Sequence, residues 1–149
     1  MDIGDIAPAF TLPDETGAPR SLDDLVADGP VVLFFYPLAM SAGCTAEACH
    51  FRDLVAEFKA LGATPVGISR DAVERQAQFA GKHSLGYPLL SDPDGAVAEQ
   101  FGVRRKIAVV ATRRKSFVIG EGRKIIGVVK SELNMNAHAD KALEILRGQ

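Results

Sequence analysis

The sequence has 149 residues, of which 47% are hydrophobic and 24% are charged, and its net charge at pH 7 is -2. This balance is typical of one globular domain over residues 1–149, large enough to fold without a metal or a disulfide. It argues against nucleic-acid partners, which require a clustered basic surface. The longest apolar run is too short to cross a membrane and the acidic N-terminus carries no secretory signal, so we expect a cytoplasmic protein with no membrane partner.

The first half of the chain predicts two strands separated by a helix. Residues 31–36 form a continuous apolar run, typical of a central strand that is buried on both faces and ended by Pro37. After Gly43, apolar residues recur at helical spacing until Gly62, which favours one helix between these glycines. Residues 64–68 then have the composition of a second strand.

The second half of the chain predicts shorter elements that complete an α/β sandwich. Asp71 is a good N-cap for a helix that ends near Gly81. The elements expected after it are a strand at 88–90, a turn at 92–95, a helix that stops at Gly102, a strand at 107–111, a hairpin of strands 116–119 and 124–129, and a helix over 137–146. Strands that alternate with helices, followed by a terminal hairpin and helix, predict a mixed sheet flanked by helices.

Both cysteines of the chain, Cys44 and Cys49, lie where the first strand leads into the first helix. Cys44 falls in or near the first turn, where unpaired N–H groups and the helix dipole stabilise a thiolate, which is the nucleophilic form. Ser41 can cap the helix or offer a hydroxyl to a substrate, and Gly43 allows the backbone to approach a substrate closely. The segment therefore predicts a reactive thiol at Cys44.

Two other interpretations of the cysteine pair remain open on the residues alone. Nearby cysteines are often small buried hydrophobic residues, and this explanation would suit an arbitrary intracellular protein. Zinc is a poorer explanation, because the pair has the spacing C-x4-C with no C-x2-C partner and the histidines are scattered. We therefore expect no metal site.

The spacing of the cysteines sets a condition on any disulfide between them. Residues five apart on a helix have Cα atoms about 8.6 Å apart. A disulfide normally needs a separation below about 7 Å. An intact helix therefore cannot hold a bond between Cys44 and Cys49, and forming it would require the first turn or two to unwind. If the two cysteines do bond, the spacing predicts a reduced helix and an oxidised loop as two states.

The pattern of Pro37, Ser41 and Cys44 resembles the active-site signature of the peroxiredoxins. The longer stretch 35–53 resembles the branch called bacterioferritin comigratory protein or peroxiredoxin Q, in which a second cysteine lies five residues after the first. The resemblance implies a thioredoxin-like three-layer sandwich with a mixed central sheet, flanking helices and an N-terminal extension. Further stretches that fit this AhpC/TSA-like family, in the expected order, are 4–14, 90–95 and 114–119.

The same resemblance implies a thiol-dependent peroxidase that reduces hydrogen peroxide and organic hydroperoxides. Cys44 would attack the peroxide and become a sulfenic acid, and Cys49 would condense with it to form an intramolecular disulfide. Thioredoxin or a similar dithiol donor would then restore both thiols. The family implies no metal or organic cofactor, and this branch of it implies a monomer.

Two charged residues acquire roles from the resemblance. Arg114 matches the family's arginine, whose fixed charge would stabilise the Cys44 thiolate and orient the peroxide. The alternative is that Arg114 is an ordinary surface charge. Arg113 would stabilise the thiolate instead if the strand register differed by one residue. Glu47 either holds the arginine in place or is an exposed glutamate on the helix surface.

The loop before the helix both follows and departs from the family pattern. Ser41 would donate a hydrogen bond to a peroxide oxygen, or it only caps the helix. Pro37 would cover the thiolate, or it only ends the strand. Residues 41–43 read Ser-Ala-Gly where Thr-Pro-Gly is common, and the apolar residues 38–40 suggest either a preference for apolar hydroperoxides or a contact with a partner. The stretch 104–113 does not follow the family pattern.

Three alternative functions remain at this point. A peroxide-sensing relay would use the same Cys44 chemistry and pass its disulfide to one specific partner. A thiol–disulfide reductase usually carries C-x2-C at the helix start, which the spacing here disfavours. A structural protein with two inert cysteines would show unreactive thiols.

Overall fold

The computed structural model describes residues 1–103, 114–131 and 134–149. A short hairpin of β1 (Thr11–Pro13) and β2 (Pro19–Ser21) opens the chain. The central sheet consists of β3 (Val31–Phe35), β4 (Thr64–Ser69), β5 (Leu89–Ser91), β6 (Lys115–Ile119) and β7 (Ile125–Lys130). Their order is β5-β4-β3-β6-β7, with β3 parallel to β4 and antiparallel to β6, so the sheet is mixed.

Helices cover both faces of this sheet. They are α1 (Leu22–Ala27), α2 (Ala42–Asp53), α3 (Val55–Ala60), α4 (Val73–His83), α5 (Ala96–Gln100) and α6 (Ala137–Arg147). Buried residues of α2, α3, α4 and α6 form one hydrophobic cluster, and those of α1 and α5 belong to a second cluster on the opposite face. The arrangement is a three-layer sandwich. No helix in the described ranges is long and apolar enough to span a membrane.

Strand β3 lies at the centre of the core because its side chains are buried on both faces. Phe34 faces the cluster that includes α2 and stacks on Phe51, with ring centroids 4.2 Å apart. Phe35 faces the other cluster and meets Phe117 edge-on at 6.0 Å. Each buried aromatic side chain contributes about 1.5–3 kcal/mol of hydrophobic stabilisation. This strand therefore fixes the start of the loop that leads to α2 and its cysteines.

The predicted architecture of a mixed sheet flanked by helices is confirmed. The strand expected at 31–36 is β3, although its ladder ends one residue earlier. Gly102, with φ of 72°, follows the helix that was predicted to stop there. The terminal hairpin is formed by β6 and β7, joined by a tight turn at Glu121–Arg123. Helix α6 buries Ala142, Leu143 and Leu146, as expected from their spacing.

Two predictions about helices are wrong. The single helix expected between Gly43 and Gly62 is divided at Leu54, whose φ of -102° and ψ of 8° interrupt the helical geometry. Apolar spacing continues across Leu54, so periodicity alone cannot reveal the break. Asp71 is not the N-cap of α4; Ala72 occupies that position, and the carboxylate of Asp71 instead accepts the amide hydrogen of Ala39.

The N-terminal hairpin and α1 were not predicted, because three-residue strands give little periodic signal. The strand expected at 107–111 lies outside the described residues.

Candidate active site

Cys44 lies in the first turn of α2, directly after the sheet. Ser41 is the N-cap: its backbone is extended and its hydroxyl oxygen accepts the amide hydrogen of Cys44 at 3.3 Å. The same hydroxyl donates to the carbonyl of Leu38 at 3.0 Å. Cys44 is 1% exposed. The helix N-terminus therefore directs its positive dipole end towards a sulfur that is shielded from bulk water.

Arg114 lies immediately before β6 and reaches across to this turn. Its Nη2 donates to Cys44 Sγ at 3.3 Å, and its Nη1 donates to Glu47 Oε1 at 2.8 Å. Burial disfavours the charged guanidinium, but the charges of Glu47 and Cys44 outweigh that effect, and the pKa of Arg114 is raised. Arg114 therefore stays positive throughout the physiological pH range and stabilises a thiolate at Cys44.

Glu47 fixes the direction of the arginine. It lies three residues after Cys44, and this spacing places the two side chains on the same face of α2. Glu47 is fully buried, so the alternative of an exposed helical glutamate is excluded. A guanidinium that donates to Glu47 with one nitrogen and to Cys44 with another has a fixed orientation, because its donors form a rigid planar fork.

A buried histidine lies behind this ion pair, and sequence reasoning missed it. His138, in the first turn of α6, lies with Nε2 3.5 Å from Glu47 Oε2. The same Nε2 donates to the carbonyl of Ser131 at 2.8 Å, and Nδ1 shares a hydrogen bond of 2.7 Å with Ser116 Oγ. A carbonyl can only accept, so Nε2 carries a proton. His138 thus joins α6, β6 and α2 behind the reactive turn.

The loop 37–41 covers the start of α2. Ala39 is buried and Leu38 is 53% exposed, while Met40 adopts the left-handed conformation with φ of 67°. Pro37 is half-buried at the beginning of this loop, and its expected role in covering the thiolate stays a prediction.

Gly43 leaves room for the arginine. A Cβ at this position would lie 3.3 Å from Arg114 Nη2 and 3.4 Å from Met135 Sδ, closer than most side-chain contacts. The glycine therefore lets the guanidinium and the methionine sulfur approach the backbone of the first turn. The role expected of Gly43 in the sequence, a close approach of the backbone to a substrate, stays a prediction; the groups that approach it in the structure are the arginine and the methionine.

Cys49 lies in the same helix as Cys44, and both thiols are free. Cys49 is partly exposed, and it follows Ala48, whose carbonyl accepts the hydroxyl hydrogen of Tyr87 at 2.7 Å. Because α2 is continuous from Ala42 to Asp53, the two sulfurs belong to a reduced state in which the helix keeps them apart.

The described residues contain no group of three or more His, Cys, Asp or Glu side chains that could hold a metal ion. The site is therefore built from one thiol, one buried ion pair, a helix N-terminus and a hydroxyl. This arrangement can stabilise an anionic sulfur and can direct hydrogen bonds at a small polar substrate beside it.

Comparison with known proteins gives the family. Residues 3–128 match a model of the AhpC/TSA family. This chain belongs to the AhpC/TSA family. It is similar to the crystal structure of peroxidoxin BcpB from Mycobacterium tuberculosis, with 55% identity and a TM-score of 0.95 over 99% of this chain and 97% of that chain.

Two more distant relatives agree with this assignment. Chloroplastic peroxiredoxin Q from Sedum lineare is 36% identical over 144 residues, which cover 97% of this chain and 77% of the relative. A structure of the bacterioferritin comigratory protein of Xanthomonas campestris is 27% identical, with a TM-score of 0.85 over 93% of this chain and 90% of that chain. The resemblance to this branch of the family is therefore confirmed over almost the whole chain.

The structure brings together most of the residues that the AhpC/TSA signature singles out. Ser41, Glu47 and Arg114 all contact Cys44 or the group that contacts it. Arg113 lies outside the described residues. The signal that could have revealed His138 is weak, because Ser131, Ser116 and Glu47 contact it from three different parts of the chain and share no spacing pattern with it.

Proposed function

We propose that this chain is a thiol peroxidase in which Cys44 is the nucleophile. The observation that carries the proposal is the 3.3 Å contact between Arg114 Nη2 and Cys44 Sγ in the first turn of α2. A buried, fixed cation and a helix N-terminus both stabilise a thiolate. Membership of the AhpC/TSA family, whose relatives are named peroxiredoxins, supports the same chemistry.

In the first step, the Cys44 thiolate attacks one oxygen of the hydroperoxide and the O–O bond breaks. The sulfur is oxidised to a sulfenic acid, and the leaving oxygen takes up a proton as water or an alcohol. Arg114 donates from a position where it can also stabilise negative charge that develops on the oxygens. The Ser41 hydroxyl, which donates to Leu38 in this structure, can turn its hydrogen to the substrate instead.

In the second step, Cys49 attacks the sulfenic acid, giving a Cys44–Cys49 disulfide and water. The helix that holds both residues must unwind at its first turns for the sulfurs to meet, because the intact helix keeps the Cα atoms too far apart. A dithiol protein such as thioredoxin then reduces the disulfide by exchange and returns the chain to its reduced state.

The substrates we propose are hydrogen peroxide and organic hydroperoxides. The exposed Leu38, with Met40 and Met135 near the reactive turn, supports binding of an apolar substituent. The related protein of Xanthomonas campestris is described as having alkyl peroxide reduction activity, which favours the same substrate class here.

The thiols provide a direct test. Reduced protein receives one equivalent of hydrogen peroxide, and free thiols and intact mass are measured beside Cys44→Ser and Cys49→Ser variants. We expect the unmodified chain to lose both thiols and about 2 Da, as one disulfide requires. Cys49→Ser should stop at a sulfenic acid and Cys44→Ser should stay unreactive. Survival of both thiols in the unmodified chain would refute the peroxidase assignment.

Turnover separates an enzyme from a relay. With excess thioredoxin, thioredoxin reductase and NADPH, a peroxidase consumes many equivalents of peroxide per chain. A chain that oxidises once and is not turned over by the dithiol donor is instead a peroxide-sensing relay. We also propose that the protein acts as a monomer in the cytoplasm, where thioredoxin-type systems keep thiols reduced.

A further inference from the structure

The carboxylate of Asp71 holds loop 37–41, which covers the reactive turn, through a hydrogen bond. Asp71, in the connection between β4 and α4, accepts the amide hydrogen of Ala39 with Oδ2 at 2.7 Å. Ala39 and Asp71 are 32 residues apart in the chain. Among the described residues, this bond ties the middle of loop 37–41 to the neighbouring parallel strand of the sheet.

The carboxylate is itself held in place. Ser69 Oγ donates to the same Oδ2 at 2.7 Å, and the amide of Asp71 donates back to Ser69 Oγ at 3.2 Å. Gln76 Nε2 donates to Ser69 Oγ at 2.9 Å, and the buried hydroxyl of Tyr36 donates to Gln76 Oε1. The bond to Ala39 is therefore the outer end of a connected polar network, and such networks are rigid when their members are satisfied.

The fastened loop is strained on the side of the reactive turn. Met40 follows Ala39 with φ of 67°, a conformation that is unfavourable for a residue with a side chain. Ser41, the next residue, is the N-cap of α2, so the position of the cap depends on that of Met40. The bond from Ala39 to Asp71 therefore lies next to the strained residue that leads into the cap.

We propose that Asp71 is a positioning residue that sets the balance between the folded and the unwound first turn of α2. Its bond to Ala39 favours the conformation in which Cys44 contacts Arg114 and reacts with peroxide. The same bond opposes the unwinding that brings Cys44 to Cys49. The effect of Asp71 on disulfide formation with Cys49 rests on the proposed peroxidase function, whereas its effect on the folded first turn of α2 does not.

A consequence follows for the fate of the sulfenic acid. It either condenses with Cys49, which requires unwinding, or reacts with a second peroxide to give a sulfinic acid and one more water or alcohol. A tighter loop prolongs the folded state and favours the sulfinic acid. Asp71 therefore regulates how much peroxide the protein withstands before it is inactivated.

Hydrogen exchange of the reduced protein tests the first part without any peroxide. In Asp71→Ala, the amides of residues 39–45 should exchange about tenfold faster, since a charge-assisted hydrogen bond has been lost. Asp71→Asn, which keeps an acceptor oxygen but no charge, should lie between this variant and the natural chain. Glu74→Gln is the matched control. Glu74 is an exposed acid in the first turn of α4, and this substitution removes one negative charge, as Asp71→Asn does. Exchange rates that stay within twofold of the natural chain in both Asp71 variants overturn the proposal.

Titration with peroxide during turnover tests the second part. Asp71→Ala should need about tenfold more peroxide than the natural chain or Glu74→Gln for half of the protein to become sulfinic acid by mass. If the amides exchange faster but the peroxide dose is unchanged, the role of Asp71 in resolution is wrong. If the natural chain forms no disulfide at all, the peroxidase function fails, and the exchange experiment still decides whether Asp71 holds the loop.

Discussion

Replacement of Arg114 by glutamine removes the buried cation beside Cys44. At the observed 3.3 Å, two unit charges attract each other by about 5 kcal/mol at an effective dielectric constant of about 20. The guanidinium charge is delocalised and the helix N-terminus remains, so we take about half of this value, or about 2.5 kcal/mol, as the loss. The variant also leaves the buried Glu47 without its cation, which further disfavours a second negative charge at the sulfur.

This loss should appear in the rate of the first step. A change of about 2.5 kcal/mol lowers the rate constant for sulfenic acid formation by about 50- to 100-fold. Stopped flow with hydrogen peroxide at pH 7 gives this rate constant. The Cys49→Ser background ensures that only Cys44 reacts. Arg114→Lys should lie between the two, because lysine keeps the charge but cannot donate as a planar fork.

Lys115→Gln is the control for removal of a positive charge. Lys115 is adjacent in sequence, but its Nζ lies 5.2 Å from the ring centroid of Phe117, which belongs to the cluster on the other face of the sheet. Its variant should keep the natural rate. A rate within threefold of the natural one for Arg114→Gln, with the fold intact by circular dichroism, would show that the cation does not activate Cys44.

Three further changes test other parts of the structure. Glu47→Gln should lower the rate of reaction with peroxide by about tenfold and the free energy of unfolding by about 1–3 kcal/mol, because it leaves Arg114 buried beside a neutral amide. Stopped flow measures the rate and urea unfolding measures the stability. An unchanged rate would show that Glu47 does not orient the arginine. Gly43→Ala should slow the first step several-fold with little effect on Tm, since its Cβ crowds Arg114 and Met135; a rate equal to that of the natural chain contradicts this. Burial opposes the charged carboxylate of Asp14, but hydrogen bonds from neighbouring side chains and amides outweigh it and lower its pKa below 3.8. The charged carboxylate therefore stabilises the fold above its ordinary pKa. Asp14→Asn should lower Tm by a few degrees at pH 7, and the difference should shrink as pH falls below about 3.8. A difference in Tm that does not shrink with falling pH contradicts the assignment.

The sequence predicts the site best where one segment carries the information. Ser41, Cys44 and Glu47 lie within seven residues, and helical geometry alone places Cys44 and Glu47 on one face. The apolar run that becomes β3 is equally clear, because a strand buried on both faces has no polar alternation. Arg114 came from the family resemblance, since no local pattern indicates that residue 114 reaches residue 44.

What the sequence does not predict depends on contacts between distant segments. Asp71 has the residue type and position of a helix N-cap, but the amide of Ala39 competes for its carboxylate and α4 begins without a side-chain cap. His138 has no other histidine at the spacing of a metal site, so the sequence does not single it out. Its hydrogen-bond partners are Ser116, on β6, and Ser131, just after β7. These hydrogen bonds arise only after the sheet has placed the loops side by side.

The bond from Tyr87 to the carbonyl of Ala48 has an optical consequence. The sequence contains two tyrosines and no tryptophan, so its near-ultraviolet emission comes from Tyr36 and Tyr87 alone. Tyr36 donates to Gln76, in the network that ends at Ala39, whereas the partner of Tyr87 lies between Cys44 and Cys49 on α2. If α2 unwinds on oxidation as proposed, the Tyr87 hydroxyl loses the carbonyl of Ala48 as its acceptor. The proposed unwinding should therefore be visible in the intrinsic emission of the unlabelled chain, through Tyr87.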